Sequence, residues 1–233
     1  MENSNIVTLK SVKKHFPIGG GKFTALNGID LKFTEGEFAG FIGPSGSGKT
    51  TLLNIIGSLD TPSEGKVVVI NNDIGSLSTK KAALLRRKEL GFIFQTYNLL
   101  PVYTVYENVE FPLLLFNMSA SERRKAVHDA LEWVDLLSKI KSKPAQLSGG
   151  ECQRVAIARA MVKKPKIVLA DEPTANLDSE NSHHILKTME NLNKDLKTTF
   201  IFATHDDKVI GYLKRKVILK DGMVVKEELI NEK

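Results

Sequence analysis

The sequence predicts an α/β fold, and two patterns support that prediction. From residue 37 onward, short apolar segments of strand length alternate with segments of helical character, which is typical of a sheet covered by helices. Before residue 37, strand-like segments are joined by a glycine-rich turn at Gly19, Gly20 and Gly21. The predicted strands are residues 6–12, 25–33, 37–42, 67–70, 91–94, 167–170 and 199–203.

The segment after the strand at 37–42 contains a phosphate-binding motif of the form G-x-x-x-x-G-K-[ST], with a helix predicted to open at Gly48. Glycines allow successive backbone N–H groups to converge on a polyphosphate, and the helix N-terminus adds partial positive charge. We expect Lys49 to reach the β- and γ-phosphates and the Thr50 hydroxyl to bind Mg²⁺. A flexible surface loop is the alternative. The predicted ATP-binding residues here are Gly43, Pro44, Ser45, Gly46, Ser47, Gly48, Lys49, Thr50 and Thr51.

Two carboxylates follow the apolar segment 167–170. In an α/β sheet, ligands gather at the carboxyl ends of the strands, so Asp171 and Glu172 are expected beside the phosphate loop. Asp171 is a suitable ligand for Mg²⁺, and Glu172 is suited to orient or deprotonate the water that attacks the γ-phosphate. A strand that simply ends in a charged turn has the same pattern. The presence of the phosphate loop in the same chain favours the interpretation that these two carboxylates take part in ATP hydrolysis.

A helical block is predicted at residues 119–138, where small and aliphatic residues recur at helical spacing. Ser121 and Arg124 do not make a capping box at its start, and Trp133 is interpreted as a packing residue. Pro101 and Pro112 bracket a stretch that cannot be one uninterrupted helix.

The composition limits the class of protein. The chain has 233 residues, of which 42% are hydrophobic, so it can build a globular core. None of its apolar segments reaches the roughly 18 residues that a membrane-spanning helix needs. The start, residues 1–5, does not resemble a signal peptide, and the single Cys152 excludes an internal disulfide, so a reducing, cytoplasmic setting is expected. The net charge of +6 is compatible with nucleic acid or an anionic membrane, but a solvated lysine-rich surface is the simpler interpretation.

A further set of motifs resembles the ATP-binding-cassette (ABC) ATPases. Leu147, Ser148, Gly149, Gly150 and Glu151 resemble the family's LSGGQ signature, with Glu151 where Gln is commonest. Three more family motifs occur in the family's order, at Gln95, at residues 175–178 and at His205. The resemblance covers residues 6–222.

The resemblance implies roles for these residues. Gln95 would contact Mg²⁺ and water, Asp178 would belong to the D-loop, and His205 would touch the γ-phosphate. Phe16 matches the aromatic position that stacks on adenine, although residues 14–16 are also compatible with a strand edge. His183 and His184 match no motif and are interpreted as exposed helix positions.

The family's architecture implies one nucleotide-binding domain over residues 1–233. It would contain a RecA-like core, an antiparallel β subdomain and a helical subdomain at about residues 97–160. Ser148 and the glycines after it open a helix, which is a second anion-binding N-terminus that one ATP does not need. In the family the signature closes over the ATP of a partner, so a head-to-tail homodimer is expected.

A separate transmembrane permease subunit is implied, because the chain has no predicted span. The family docks that subunit near Gln95, and the apolar segment 97–115 is the expected wall of the docking site. The chain would then work at the cytoplasmic face of the cell membrane, held there by its partner. The transported substrate would be chosen by the membrane subunit.

Glu151 and residues 56–62 and 107–114 resemble the group of lipoprotein-releasing and macrolide-exporter ATPases. Two alternatives stay open. One is the cell-division ABC ATPase, whose output is mechanical coupling. The other is a soluble cassette acting on nucleic acid or ribosomes, which is disfavoured because such translation factors carry two cassettes and DNA-repair relatives insert a long coiled coil. No direct contact with nucleic acid is expected.

Overall fold

The computed structural model describes residues 5–230, so the expectations for residues 1–4 and for both ends of the range 1–233 lie outside the described residues. The strands are β1 (Asn5–Ile18), β2 (Gly21–Thr34), β3 (Phe38–Ile42), β4 (Glu64–Val69), β5 (Asn72–Asp73), β6 (Leu90–Ile93), β7 (Ile167–Asp171), β8 (Thr199–Thr204), β9 (Arg215–Lys220) and β10 (Met223–Leu229). The α-helices are α1 (Lys49–Ile56), α2 (Thr79–Glu89), α3 (Val105–Glu110), α4 (Ala120–Glu132), α5 (Gly149–Met161), α6 (Ser179–Leu196) and α7 (Asp207–Tyr212). Short 3₁₀ turns lie at Ile74–Ser76, Phe111–Leu115, Leu137–Lys139 and Pro144–Gln146.

The strands form two sheets, which confirms the predicted α/β class. A six-stranded sheet has the order β10-β9-β3-β8-β7-β6, and every neighbouring pair in it is parallel except β10 with β9. A four-stranded antiparallel sheet has the order β2-β1-β4-β5. The carboxyl ends of β3 and β7 are therefore at the same edge of the parallel sheet.

The six-stranded sheet is covered on both faces. Along β8, Phe200 and Phe202 pack with α3, α4, α5 and α6, while Ile201 and Ala203 pack with α1 and the antiparallel sheet. This alternation follows the two-residue period of a strand. All six residues of β8 are buried, as expected for a central parallel strand.

The strand predicted at 67–70 does not lie in the parallel sheet with the other later strands. It is β4, which pairs antiparallel with β1, with Val7 opposite Val69. Its inward residues, Val67 and Val69, are buried against the antiparallel sheet and α1. A short apolar segment has the same sequence pattern in either sheet, so only its tertiary partner distinguishes the two.

The first two strands extend well beyond their apolar parts. β1 and β2 have 14 residues each and remain paired down to Ile18 and Gly21 at the hairpin turn. The additional residues are mostly exposed, so the pattern of apolar residues predicted both strands as too short. Phe16 therefore lies within β1, directly opposite Phe23 of β2.

The helix starts agree only partly with the sequence predictions. α1 begins at Lys49 with Gly48 as its N-cap, as predicted. α4 begins at Ala120, and its N-cap is Ser119 instead of Ser121, because Ser119 and Glu122 form a complete capping box. Trp133 packs against the helical side of the core, which confirms its assignment. The stretch between Pro101 and Pro112 contains only the short α3 and the start of a 3₁₀ turn, as predicted.

Candidate nucleotide site

The phosphate loop connects β3 to α1. Gly46 and Gly48 have φ angles of +81° and +101°, which lie in the left-handed region that favours glycine. A Cβ on Gly48 would lie 2.7 Å from the main-chain oxygen of Ala25, so a larger residue does not fit there. No side chain caps α1, so its first N–H groups are available to an anion.

Lys49 lies back against the loop that precedes it. Its buried side chain donates hydrogen bonds from Nζ to the main-chain oxygens of Gly43 at 2.7 Å and Pro44 at 3.0 Å. Both partners are neutral carbonyls, so the positive charge of the amine is not neutralised by these contacts. The loop therefore combines helix N–H groups with one ammonium group, which is the chemistry that binds a polyphosphate.

One cavity of about 390 Å³ brings most of the predicted site residues together. It is lined by Phe16, Phe23, Ala25, Ser45, Gly46, Gly48, Lys49, Thr50, Thr51, Gln95, Asp171, Glu172 and His205. Gly43, Pro44 and Ser47 belong to the same loop but do not line the cavity. The predicted signature residues and Asp178 lie outside it.

Thr50 and Asp171 connect α1 to the end of β7. The Thr50 hydroxyl lies 3.2 and 3.0 Å from the two carboxylate oxygens of Asp171 and donates to that carboxylate. Burial raises the pKa of Asp171, and the Thr50 hydrogen bond partly opposes this shift. A hydroxyl and a carboxylate beside the phosphate loop are oxygen donors of the kind that Mg²⁺ prefers when phosphates supply further ligands.

Glu172 is held in a constrained conformation. Its φ is +45°, and its N–H donates to the main-chain oxygen of Ala203 at 2.9 Å. The Thr204 hydroxyl donates to Oε2 at 3.0 Å, and His205 Nδ1 lies 2.6 Å from Oε1. A left-handed non-glycine residue is costly, and such strain is concentrated at functional sites. The His205 side chain is 69% exposed, while that of Glu172 is 14% exposed.

The segment after Gln95 is fixed by two side chains from other motifs. Asn176 Nδ2 donates to the main-chain oxygen of Gln95 at 2.9 Å. Tyr97 and Asn98 both have left-handed φ angles, of +59° and +49°. Arg159 of α5 donates to both of their carbonyl oxygens, at 2.7 Å to Tyr97 and 2.5 Å to Asn98. The signature helix is thus bonded directly to the segment that carries Gln95.

The signature residues form the start of α5. Ser148 is the N-cap, and with Glu151 it makes a capping box in which each side chain satisfies the other's main-chain N–H. The Glu151 carboxylate also lies 3.3 Å from Lys139 Nζ, and the bond from the Ser148 N–H lowers its pKa. A Cβ on Gly150 would lie 2.4 Å from Asn181 Oδ1, so a larger residue there would displace the Asn181 side chain. Glu151 therefore stabilises the start of α5, at a position of the signature where Gln is commonest.

Comparison with known proteins places this site in a family. The family model of ABC transporters matches residues 26–175. The chain belongs to the ABC transporter family. A curated ABC transporter ATP-binding protein of Methanocaldococcus jannaschii, MJ0796, is 44% identical and covers 96% of this chain and 97% of its own length. LolD, the lipoprotein-releasing system ATP-binding protein of Legionella pneumophila, is 41% identical over 97% of this chain and 100% of its own.

Solved structures agree with the fold of this ABC ATPase. A dimeric, post-hydrolysis state of MJ0796 bound to ADP and Pi has a TM-score of 0.89 at 43% identity, over 97% of this chain and 99% of that one. cbiO1 of Clostridium perfringens, described as part of the ABC transporter complex cbiONQ, has a TM-score of 0.88 at 31% identity, over 98% of this chain and 89% of that one. The predicted family, fold and ATPase activity are thereby confirmed.

Phe23 and Ala25 line the nucleotide cavity of this ABC ATPase, but the sequence did not predict them as site residues. Phe23 is the cross-strand partner of Phe16, is 50% exposed, and lines the same cavity. Lys14 Nζ lies 5.1 Å from the Phe16 ring centroid and is anchored by Asp60. Extending the alternation of β2 back through the glycine turn could have identified Phe23.

A second concave surface lies on the far side of β6 and is named the α2–α5 groove. Its cavity of about 500 Å³ is bounded by α2, β6, the 3₁₀ turn Phe111–Leu115 and α5. Its exposed apolar lining residues include Leu59, Phe111 and Leu115. Within residues 5–230, no helix is long and apolar enough to cross a membrane.

Proposed function

We propose that this ABC ATPase dimerises on MgATP and drives a separate transmembrane subunit. The observation that carries the proposal is the division of the motifs. The phosphate-loop cavity collects the groups that bind and attack a γ-phosphate, whereas the Ser148 helix N-terminus lies outside it. Relatives of this chain are described as dimeric cassettes and as ATP-binding proteins of transporters.

ATP binds with its phosphates on the phosphate loop and its adenine against Phe16. The N–H groups of the loop and of the first turn of α1 donate to the phosphate oxygens. Lys49 exchanges its contacts with the Gly43 and Pro44 carbonyls for the β- and γ-phosphates, which are stronger, charged acceptors. Ser45, Gly46, Ser47, Gly48 and Thr51 shape this cradle.

The Thr50 hydroxyl, the Gln95 side chain and the Asp171 carboxylate are the oxygen donors that would hold Mg²⁺ next to the phosphate loop. When bound, the ion neutralises charge that develops on the transferred phosphoryl group. Burial raises the pKa of the partly buried Asp171, and a bound cation would oppose that shift by favouring the ionised carboxylate.

Glu172 is the general base for the attacking water. The Thr204 hydroxyl holds one carboxylate oxygen and His205 the other, so the carboxylate has a fixed direction. His205 is exposed enough to turn toward the γ-phosphate when nucleotide arrives. Gln95 connects the nucleotide cavity to the segment that follows it. Its main-chain oxygen accepts a hydrogen bond from Asn176, and the turn after it accepts two from Arg159.

The second chain completes the site. Ser148, Gly149, Gly150 and Glu151 of one protomer cover the nucleotide held by the loop of the other, and the D-loop residue Asp178 lies at the same junction. Asp178 caps α6 by accepting from the Asn181 N–H, so the loop before it has a defined direction. Residues 97–160, which contain α3, α4 and most of α5, act as the helical subdomain within the single cassette.

The transmembrane partner docks in the α2–α5 groove, close to the segment 97–115. The chain then works at the cytoplasmic face of the membrane, held there by this partner. The resemblance to LolD supports the transporter branch that releases lipoproteins or exports macrolides or peptides.

The test replaces Glu172 with Gln, which keeps the shape of the side chain but removes its basicity. Glu172→Gln is expected to bind MgATP normally, to hydrolyse it at least about 100-fold more slowly, and to become a dimer in sedimentation when ATP is added. Lys49→Ala is the matched control and should lose nucleotide binding itself. A strictly monomeric Glu172→Gln protein at saturating ATP would contradict the composite site, and near-normal turnover would remove Glu172 from the role of base.

A further inference from the structure

Phe16 lies on a part of β1 that has little support from the sheet. β1 pairs with β2 over its whole length, but its pairing with β4 ends at Lys13, opposite Glu64. Within residues 5–230, β2 is the only strand that pairs with β1 beyond that point. A two-stranded hairpin is marginally stable by itself, and the Phe16 residue on it is 38% exposed. The ring therefore needs a further attachment to keep a fixed position at the cavity.

The segment that follows α1 runs alongside this part of β1. The Ser63 N–H donates to the Lys13 carbonyl at 2.9 Å, and the His15 N–H donates to Ser63 Oγ at 3.0 Å. The His15 ring has Nδ1 at 3.1 Å from Thr24 Oγ1 on β2 and Nε2 at 3.4 Å from Glu64 Oε1. These contacts fix β1 up to residue 15, which directly precedes Phe16.

Lys14 extends this attachment to the Phe16 side chain. Its Nζ donates to Asp60 Oδ1 at 2.5 Å and to the Thr61 carbonyl at 2.9 Å, and it lies 5.1 Å from the centroid of the Phe16 ring. An ammonium group within about 6 Å of an aromatic centroid attracts the ring, and the attraction is stronger where the cation is desolvated. The Lys14 side chain is only 12% exposed. Lys14 thus holds the ring with a charge that Asp60 keeps in place.

Asp60 connects this contact to the phosphate end of the cavity. It follows α1, the helix that begins at the phosphate loop, and its N–H donates to the Asn54 carbonyl of that helix at 3.2 Å. Asp60 Oδ1 also accepts from the Thr61 N–H at 2.7 Å, so the carboxylate has a fixed direction. One helix is therefore attached to both ends of the cavity, to the phosphate loop at its first turn and to the aromatic ring through Asp60 and Lys14.

We propose that Lys14, held by Asp60, is a positioning residue for the adenine of ATP. This inference rests on the proposed function, in which adenine lies against Phe16 while the phosphates lie on the loop. Among residues 5–230, those that line the cavity do not include Lys14, so Lys14 acts through the ring. Asp60 and Lys14 fix the ring relative to the phosphate loop, so ATP binds to two contact points that are already correctly spaced.

A purely structural ion pair predicts a different result. If Lys14 only stabilised the fold, its loss would lower the thermal midpoint and would weaken the binding of every phosphate ligand alike. A positioning residue for adenine affects only the part of the binding free energy that depends on the base. The ratio of the affinities for ATP and for inorganic triphosphate therefore distinguishes the two roles.

The experiment measures equilibrium binding of MgATP and of magnesium triphosphate to the full chain. Lys14→Met removes the charge and keeps an apolar stem, and it should weaken ATP binding about 3- to 10-fold with triphosphate affinity unchanged. The kcat at saturating ATP should also stay unchanged, because the adenine is not the reacting group. Lys14→Arg keeps both the charge and the reach to Asp60, so its ATP affinity should stay within about twofold of the wild type.

Lys13→Met is the matched control. It removes the same charge from the adjacent position of β1, where Lys13 pairs with Glu64 at 2.9 Å, and it should change neither affinity. The thermal midpoint of each variant is measured alongside. If Lys14→Met does not fold, Asp60→Asn takes its place, because it removes the anchor of the Lys14 charge without changing β1. The same selective loss of ATP affinity is then expected.

A double-mutant cycle with Phe16→Ala provides the decisive comparison. Without the ring, Lys14→Met should have no further effect on ATP affinity. An equal effect in both backgrounds, or equal weakening of ATP and triphosphate by Lys14→Met, would overturn the proposal. If Phe16→Ala weakens ATP binding and Lys14→Met does not, the positioning role is wrong while the proposed function stands. If Phe16→Ala itself leaves ATP affinity unchanged, adenine does not lie on that ring, and the binding mode in the proposed function fails as well.

Discussion

At the scale of single residues, the site depends on side chains whose surroundings limit their freedom. Glu172 has a left-handed backbone and is bonded at both carboxylate oxygens, so its direction is set before nucleotide binds. Lys49, in contrast, is held only by neutral carbonyls and can exchange them for phosphates. The proposed base, Glu172, is therefore preorganised, whereas the Lys49 ammonium proposed to bind phosphate is free to exchange partners.

Phe23 provides a test of the aromatic end of the cavity. It faces Phe16 across the hairpin and lines the same cavity, so we expect both rings to contact the adenine. Phe23→Ala should weaken ATP binding by about 2- to 10-fold, the value of one aromatic contact, with kcat at saturating ATP unchanged. Phe16→Ala should weaken it more, by about 1–3 kcal/mol, the value of a full base stack.

The measurement is equilibrium binding of ATP and of inorganic triphosphate to each variant. Triphosphate lacks the base, so its affinity should be the same in both variants and in the wild type. Equal weakening of ATP and triphosphate by Phe23→Ala would show that the ring supports the loop and does not contact the base.

At the scale of elements, helix N-termini have two different uses in this chain. α4 and α5 begin with the same device, a serine N-cap paired with a glutamate three residues later. α1 begins with a glycine and no side-chain cap. In α4 and α5 the capping box satisfies the N–H groups of the serine and the glutamate and leaves those of the two residues between them open, while α1 has no side-chain cap at all.

The two serine caps form a matched pair for testing the signature. Ser119→Ala and Ser148→Ala should each lower the free energy of unfolding by about 1 kcal/mol, because each removes one capping box. Only Ser148→Ala is expected to weaken ATP-dependent dimerisation in the Glu172→Gln background, measured by sedimentation. Similar dimerisation in the two variants would mean that Ser148 serves the helix alone.

Lys163 connects α5 to the last turn of α2, and its burial makes stability depend on pH. Its pKa is lowered to about 8 in the fold, from 10.5. Below pH 8 both states carry the proton, so the fold bears the full cost of the buried charge. Between pH 8 and 10.5 only the unfolded chain keeps the proton, so the free energy of unfolding rises with pH, by up to about 3 kcal/mol.

Urea denaturation at about pH 7.5 and about pH 10 measures this effect. Lys163→Met should remove the rise, and Lys164→Met, at an exposed position, should retain it. Because other lysines and tyrosines titrate in the same range, the comparison uses the difference between the two variants. An identical pH dependence in both would contradict a buried, titrating Lys163.

At the scale of the whole molecule, the segment after Gln95 lies between the nucleotide cavity and the α2–α5 groove. Asn108 fixes its main chain by accepting from the Leu100 N–H at 2.8 Å and donating to the Leu100 carbonyl at 3.1 Å. Arg159 and Asn176 hold the same segment from α5 and from the loop before α6. One short segment is thus bonded to three different parts of the cassette.

Leu100→Glu should therefore uncouple the membrane partner while ATP binding by the isolated chain stays intact. The added charge lies in the segment that joins the nucleotide cavity to the groove, while the main-chain bonds of Leu100 to Asn108 do not need the leucine side chain. Copurification with the membrane subunit and ATP affinity are the two measurements. Leu229→Glu, at a leucine that is 77% exposed on β10, is the control and should change neither. Loss of ATP binding in Leu100→Glu would mean that the substitution disturbs the cassette itself.

The sequence by itself determined the chemistry of this protein wherever that chemistry is local. Each motif lies within a few consecutive residues: the phosphate loop, the carboxylates after β7 and the signature. Short segments of this kind specify the backbone freedom of glycines, the end of a strand and the start of a helix. The ordered motifs were sufficient to predict the ABC family, which the match over residues 26–175 confirms. The roles assigned to individual residues stay predictions until the variants above are measured.

Only the tertiary structure decided which distant segments meet. It placed β4 in the antiparallel sheet, brought Phe23 opposite Phe16, and added two strands that the sequence had not predicted, β9 beside β3 and β10 beside β9. It also gathered four cations from α2 and α5 around one groove without a carboxylate. Such pairings depend on packing and charge between residues far apart in the chain, and no pattern of neighbouring residues specifies them.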